Sequence, residues 1–217
     1  MTLLSSSAQH VYWLGRYLFR IGYVAEQLPF VDDQKAEVFA QGLCLHIEDA
    51  ENLNQFMLDE KQPYSLINQL EIARNNIQEL RALFSATAYA ELNTLIKNAT
   101  NTPDMILELV QDCREILKNE KEEIFLFFHL GQSVEQIDTH FRFHKNIHSV
   151  LDSIDPMIVQ LSNLGWSDLQ HSWNGLKDQP YLNQFYELLI NWKINLRCMH
   201  ETYGKSSNTL SIYTKCT

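Results

Sequence analysis

Hydrophobic residues near the start of the chain recur every three or four positions, which is the spacing of one face of an α-helix. They are Val11, Leu14, Leu18, Ile21, Ala25 and Leu28. Pro29 follows directly, and proline is a common end of a helix because it lacks the amide proton that the helical ladder needs. The pattern predicts an amphipathic helix over residues 5–28.

The same helical spacing continues through most of the chain, and no segment sustains the alternation typical of a strand. Two prolines and two glycines break the segment 153–180 into short pieces. The other predicted helices cover 33–57, 66–84, 86–98, 104–118, 120–152 and 182–203. The chain is therefore predicted to be all-α, a helical bundle of about 7–9 helices. We expect a single domain over 1–203 and a flexible tail over 204–217.

Two of the predicted helices share one pattern, with a glycine in the middle of each. "VYWLGRYLFRIGYVAE" (11–26) aligns without gaps on "FFHLGQSVEQIDTHFR" (127–142), so that Gly15 falls on Gly131 and the apolar positions coincide. Glycine inside a helix costs about 1 kcal/mol relative to alanine, and its repetition suggests a shared reason. Because a missing side chain lets two backbones approach, we predict that these helices cross at the two glycines. Chance similarity between two amphipathic helices is the alternative.

The overall charge restricts which kinds of molecule the protein is expected to bind. The formal net charge is −10, and Lys and Arg form no run, whereas phosphate recognition relies on an excess of these residues. The first ten residues have neither a basic nor a long apolar segment, and the longest apolar stretch, 124–131, is too short to span a bilayer. We therefore expect a cytoplasmic protein that binds no nucleic acid and no membrane.

Three stretches are similar to the motifs of the α-E domain family, an all-helical family named for its fold and its recurring Glu-Arg pair. They are "YWLGRYLFR", "QPYSLINQLEIARNNIQELR" (62–81) and "HLGQSVEQID". The family pattern has Leu-Gly-Arg and then Leu-Glu-Arg, near the start and again later, with a Pro-Ser loop and an Ala-Arg motif between them. The resemblance covers about residues 4–145 of a short and divergent chain. The matching residues are Tyr12, Gly15, Arg16, Arg20, Pro63, Ser65, Ala73, Arg74, Asn76, Arg81, Gly131, Glu135, Asp138 and Arg142.

The chain departs from the family pattern at both Glu-Arg pairs. Phe19 stands where the first pair has Glu, and Gln136 stands where the second has Arg. Adjacent residues on a helix do not face one another, so we expect the Glu of one copy to contact the Arg of the other. The surviving residues then predict an ion pair between Arg20 and Glu135. Phe19 and Gln136 are predicted to lie close together on the other side of the crossing.

The arginines of these motifs are the candidate binding residues. A planar guanidinium suits carboxylate and phosphate groups, which favours an anion site. The alternative is a structural network of ion pairs with Glu71, Glu79, Glu135 and Asp138. The residues predicted to contact a substrate or a partner are Tyr12, Arg16, Arg20, Arg74, Arg81, Glu135, Asp138 and Arg142.

A second candidate site is a row of histidines. His140, His144 and His148 are spaced by four within the predicted helix 120–152 and would share one of its faces, which is a plausible arrangement of metal ligands. They equally fit partly buried histidines that continue the apolar face. No nucleophile motif, glycine-rich phosphate loop or paired CxxC supports catalysis, so the catalytic residues stay unknown.

The resemblance implies a role beside another enzyme, because α-E domains tend to be fused to, or encoded beside, ATP-grasp ligases. The chain would then be a helical partner or accessory subunit of an ATP-grasp ligase or a related peptide-modification protein. It would assist ATP-dependent peptide or amide-bond formation by docking and substrate presentation. ATP and Mg²⁺ are expected on the partner ligase, and no cofactor is expected in this chain. The alternatives are a stand-alone enzyme with a metal at the three histidines, and a non-catalytic helical scaffold or homodimer.

Overall fold

The computed structural model describes residues 3–99 and 102–191, and the regular structure in this part of the chain is entirely helical. The helices are α1 (Ser5–Gln27), α2 (Asp33–Gly42), α3 (Ala50–Leu58), α4 (Leu66–Glu79), α5 (Ala86–Lys97), α6 (Pro103–Lys118), α7 (Glu122–Arg142), α8 (His148–Asn163), α9 (Asp168–Asp178) and α10 (Leu182–Asn191). The predicted all-α class and bundle are confirmed. The described residues form ten helices, where the apolar spacing predicted seven to nine.

The two longest helices, α1 and α7, form the centre of the bundle. Their apolar residues are almost fully buried, and α7 buries even polar side chains in its second half. The amide of Leu3 bonds to the carboxylate of Glu123 at one end, and the rings of Tyr23 and Phe143 are 5.7 Å apart at the other. The two helices therefore run in the same direction, and α2 to α6 provide the long connection that parallel helices need.

The remaining helices pack around this pair. Helices α4 and α6 pack on α1, while α8 packs on α7 and carries α9 and α10 in turn. Local capping fixes where several of them begin: the side chains of Asp32, Asp49 and Ser65 accept hydrogen bonds from the first turns of α2, α3 and α4. Such caps satisfy amides that have no partner inside the helix. The Pro-Ser loop before α4 is thereby held beside the central pair.

Two helices predicted as single are each divided in the structure. The predicted helix 33–57 is α2 and α3, and the predicted helix 120–152 is α7 and the start of α8. Cys44 and His144 follow the first helix of each pair with φ of 58° and 51°. The next amide, of Leu45 or Lys145, then donates to a carbonyl five residues earlier at 2.8 Å. This is the Schellman ending, in which a left-handed residue stops a helix.

Helix α8 runs through a proline that was predicted to break it. Pro156 lies inside the helix, where it removes one backbone hydrogen bond. Buried apolar residues continue on both sides of it, from Val150 and Leu151 to Ile158 and Leu161. Burial of this stripe against α7 and α9 keeps the helix continuous.

The last predicted helix is described only in its first part. Helix α10 covers Leu182–Asn191, whereas 192–203 and the predicted tail 204–217 lie outside the described residues. None of the helices in the described ranges is long and apolar enough to cross a lipid bilayer.

Candidate functional site

The site is built on the crossing of α1 and α7, where the two backbones are in contact. A Cβ atom added to Gly15 would overlap the carbonyl oxygen of Phe128, and one added to Gly131 would overlap that of Tyr12. The two glycines thus meet equivalent residues of the opposite helix, as a twofold relation between the copies requires. The predicted crossing at Gly15 and Gly131 is confirmed, and backbone contact is the reason for both glycines.

The close approach brings charged side chains of the two helices together in the interior. Glu135 accepts two hydrogen bonds through its two oxygens, from Arg16 Nε at 2.7 Å and from Arg20 Nε at 2.6 Å. Asp138 lies one turn further on, 3.6 Å from Arg16 Nη2 and 3.0 Å from Arg142 Nε. The predicted Arg20–Glu135 ion pair is confirmed. We call these five residues the arginine cluster.

The arginine cluster brings three cationic side chains together in a protein that is acidic as a whole. Three guanidinium groups meet two carboxylates, although the chain as a whole has a net charge of −10. Burial raises the pKa of Glu135, but the adjacent Arg20 and Arg16 outweigh burial and hold this pKa well below its usual range. Glu135 is therefore ionised in the folded protein.

The three arginines of the cluster differ in how exposed their side chains are. The side chain of Arg16 is 3% exposed and lies 5.0 Å from the ring of Trp13. The side chains of Arg20 and Arg142 are 29% and 20% exposed. Guanidinium groups stack well on aromatic rings, and this packing holds Arg16 as an internal support. Arg20 and Arg142 are the members that a ligand could reach.

Arg20, Arg142 and Glu135 form one wall of a cavity of about 210 Å³. The opposite wall comes from the loop before α4, from α4 itself and from the break after α2. The other lining residues are Tyr17, Tyr23, Val24, Leu43, Leu45, Met57, Pro63, Tyr64, Gln69, Ile72, Thr139 and Phe143. The site is thus mostly apolar, with a cationic end, and this composition is typical of sites for small organic anions.

Gln69 is a polar residue of the cavity that the sequence did not single out. It is 7% exposed, and its Nε2 donates to the backbone carbonyl of Tyr64 at 2.8 Å. Its Oε1 atom is buried and has no hydrogen-bond partner in the protein. Buried acceptors are almost always paired. Gln69 Oε1 is therefore an exception, and because it is buried it is not exposed to the cavity.

Comparison with known families agrees with this architecture. The model of a family described as a predicted alpha-helical domain with a conserved ER motif, Alpha-E, matches residues 3–178. The chain belongs to the Alpha-E family. No curated protein and no solved structure matches it.

The Glu and the Arg of the family's motif act across the helix crossing in this Alpha-E chain. Glu135 comes from the second copy and Arg20 from the first, and together they rebuild one Glu-Arg pair in space. Phe19, at the position of the lost Glu, stacks on Tyr23 with ring centres 6.5 Å apart. The expected proximity of Phe19 and Gln136 stays a prediction.

The other predicted binding residues of the Alpha-E chain have separate surroundings. Tyr12 is 1% exposed and packs inside the crossing. Arg74 forms an ion pair with Glu71 on its own helix at 3.1 Å, and the guanidinium of Arg81 lies 5.7 Å from the ring of Tyr89. Neither arginine lines the cavity. The ion-pair network is therefore present at Glu71, Glu135 and Asp138, whereas binding of an anion by the arginines stays a prediction.

The histidine row is not a helical face. Helix α7 ends before His144, whose left-handed backbone turns the chain, and His148 begins α8. The Nδ1 of His140 donates to the carbonyl of Asn146 at 2.6 Å. Within residues 3–99 and 102–191, no three His, Cys, Asp or Glu side chains are placed to hold a metal ion. The prediction that the three histidines share one face is wrong, because α7 ends before His144. The sequence has no glycine there that would indicate this end.

Proposed function

We propose that this Alpha-E chain is a helical accessory subunit of an ATP-grasp-type ligase system. It docks on the ligase, or on a related peptide-modification protein, and presents a substrate for ATP-dependent peptide or amide-bond formation. The observation that supports this most is the cavity at the crossing of α1 and α7, where Arg20 and Arg142 form a cationic wall beside apolar side chains. ATP and Mg²⁺ are then bound by the ligase, and an ATP-dependent partner fits a cytoplasmic location.

The chemistry of ligation explains why such a wall is useful. ATP-dependent amide formation starts from a carboxylate, and a guanidinium recognises a carboxylate through charge and paired hydrogen bonds. Two guanidinium groups of the cluster, those of Arg20 and Arg142, are partly exposed. The arginines are also held by Glu135 and Asp138 before any ligand arrives. This preorganisation lowers the entropy lost on binding.

The test is co-expression with the ATP-grasp protein encoded nearest to the chain, followed by affinity capture of either protein. We expect the two to co-purify, and we expect ATP-dependent product formation by the ligase to fall when the chain is left out. The Arg20→Gln/Arg142→Gln double variant should lower the yield of product while retaining the complex. Arg114→Gln, an equal change on the exposed surface of α6, should have no effect.

Two outcomes would contradict the proposal. In one, the proteins do not associate and ligase activity is the same with and without the chain. In the other, the chain forms a stable homodimer by light scattering and never binds the ligase, which would identify a helical scaffold.

A further inference from the structure

The loop before α4 lies at the rim of the cavity and is fixed by side chains of α4. Tyr64 of this loop lines the cavity and is 40% exposed, and its backbone carbonyl accepts a hydrogen bond from Gln69 Nε2 at 2.8 Å. Asn68 Nδ2 donates to the carbonyls of Glu60 at 2.6 Å and of Gln62 at 2.7 Å. A loop that is already bonded to a helix loses little further freedom when a ligand binds. This side of the cavity is therefore formed before binding.

Two aromatic rings of the lining are held by contacts with other side chains. The ring centre of Tyr23 lies 6.1 Å from that of Phe39 and 5.7 Å from that of Phe143, which also lines the cavity. The hydroxyl of Tyr23 accepts a hydrogen bond from Lys145 Nζ at 3.2 Å. Phe143 stacks in turn on Phe39 with ring centres 5.2 Å apart. Rings that pack on one another keep their orientation, so this wall is also formed before binding.

Several polar groups of the lining are bonded within the protein. Arg20 Nε donates to Glu135 at 2.6 Å, and Arg142 Nε donates to Asp138 at 3.0 Å. Thr139 Oγ1 donates to the backbone carbonyl of Glu135 at 2.8 Å. A ligand group can thus enter the cavity without supplying a charge to these residues. What the lining offers to such a group is apolar contact, which gains free energy as surface leaves water.

The volume of the cavity sets the size of this group. The cavity measures about 210 Å³, and an apolar cavity of about 150 Å³ is large enough to bind benzene. The cavity therefore accommodates one ring with a short arm rather than a long peptide.

The lining also indicates what kind of ring fits best. Tyr17, Tyr23, Tyr64 and Phe143 all line the cavity, next to aliphatic side chains such as Ile72. Aromatic rings that meet edge to face, or stack with an offset, gain more free energy than burial of their area alone provides. An aromatic ring should therefore bind more tightly than a saturated ring of the same size.

We propose that the cavity binds an uncharged aromatic side chain of the substrate that the chain presents. The ring contacts the aromatic and aliphatic lining, and its binding does not use the charge of the arginines. This names the substrate class of the proposed presentation site, an amino acid or peptide with an aromatic side chain, and rests on the proposed function for its biological sense. Binding of the ring itself requires only the isolated chain.

The first experiment is calorimetric titration of the chain with benzyl alcohol and with cyclohexylmethanol. Both compounds are uncharged and have the same connectivity of carbon and oxygen atoms, so they differ only in the aromaticity of the ring. We expect benzyl alcohol to bind in the millimolar range and at least about twofold more tightly than cyclohexylmethanol, although the saturated compound is the more hydrophobic of the two. A smaller preference, or no binding of benzyl alcohol at about 10 mM, would overturn the proposal.

A variant at Ile72 tests whether the ring binds in the cavity. Ile72 is half-buried on α4, and a larger side chain there would fill volume that the ligand needs. Ile72→Phe should weaken binding of benzyl alcohol at least about tenfold. The matched control is Ile116→Phe, the same change at a half-buried position of α6 that does not line the cavity, and it should bind like the native chain. If Ile72→Phe is folded by circular dichroism and binds like the native chain, the proposal is wrong.

The opposite change gives a second test that does not depend on the fold of Ile72→Phe. Ile72→Ala removes three carbon atoms from the wall, and 4-isopropylbenzyl alcohol carries three more than benzyl alcohol. The preference for the larger compound over benzyl alcohol should rise at least about fivefold in Ile72→Ala. An unchanged preference would contradict binding in the cavity. Because the ligase is absent from these titrations, their failure refutes the ligand class alone, whereas failure of co-purification refutes the accessory role alone.

Discussion

Gly15→Ala is the sharpest test of the helix crossing, because the same substitution elsewhere in the chain should have the opposite sign. At Gly15 the new methyl group would overlap the carbonyl oxygen of Phe128, a backbone atom that cannot rotate away. At Gly175, inside α9, the nearest atom to a new Cβ is Gln184 Oε1 at 3.6 Å, which is ordinary contact. The two variants therefore differ in packing and not in helix propensity.

The expected magnitudes follow from this difference. Alanine gains about 1 kcal/mol over glycine inside a helix, and Gly175→Ala should raise the free energy of unfolding by up to that amount. At Gly15 this gain is opposed by overpacking, which typically costs about 1–3 kcal/mol. Separation of the helices also weakens the buried Arg16–Glu135 bond, whose complete loss would cost about 3–5 kcal/mol. We expect Gly15→Ala to lower stability by about 2–4 kcal/mol net.

Urea unfolding followed by circular dichroism at the helical band measures both variants. For a chain of this size the net loss corresponds to a fall in Tm of about 10 °C. Gly131→Ala should behave like Gly15→Ala, since its Cβ would overlap the Tyr12 carbonyl. If Gly15→Ala proved as stable as Gly175→Ala, α1 and α7 could not be in backbone contact. The geometry of the arginine cluster given above would then be wrong.

Four further results are expected. Glu135→Gln should lower the free energy of unfolding by about 3–5 kcal/mol in urea, because it leaves buried guanidinium groups without their carboxylate. Because the pKa of Glu135 is lowered in the folded protein, ionised Glu135 adds folding stability above its ordinary pKa of 4.5. This stability is lost as the pH falls through the folded-state pKa, so acid unfolding should steepen below pH 4.5 in the native chain and not in Glu135→Gln. Burial raises the pKa of the Cys113 thiol to about 12, so peptide mapping after thiol labelling should find Cys113 unmodified until the protein is unfolded. In a double-mutant cycle, Phe19→Glu and Gln136→Arg should each destabilise the chain alone and less together, and additive losses would show that these two positions do not face each other.

The crossing could be predicted from the sequence because its signals are local and costly. A glycine in mid-helix is unfavourable, and finding one at equivalent positions of two aligned helices indicated backbone contact. The paired losses at Phe19 and Gln136 then gave the Arg20–Glu135 contact, since residues that face each other tend to be lost together. The first step needed only helical periodicity, whereas the second also needed the family pattern that the chain resembles and the cost of a lone buried charge.

The divided helices could not be predicted, because the residues that end them carry no signal. A helix that ends in a left-handed residue usually has glycine there, as Gly165 after α8 does with φ of 103°. Cys44 and His144 take the same backbone region without being glycine. The two breaks lie near each other in the fold, since Phe143, next to His144, stacks on Phe39 of α2 with ring centres 5.2 Å apart.

The cavity could not be predicted from the sequence either, since its walls come from parts of the chain that are far apart in sequence. Gln69 is one of many amides, and its significance lies in an oxygen that packing leaves without a partner. The second ion pair of Glu135, with Arg16, was also not predicted. Pairing each residue of one motif with one residue of the other assigns Glu135 to Arg20 alone. Arg16 reaches it only because the glycines bring the helices so close.

The repeat is symmetric in its backbone and one-sided in its charge, and this determines how many ligands the crossing can bind. The arginine cluster takes its cations at Arg16 and Arg20 of the first copy and at Arg142 of the second. The residues equivalent to the cluster in the opposite copies are Phe19, Gly22, Glu26, Gln132 and Gln136. None of these five residues is a cation, so they cannot neutralise a carboxylate as the arginine cluster can. An anion that binds by the mechanism proposed here should therefore titrate with one equivalent per chain, and two equal sites would show that the recognition comes from the shared backbone instead.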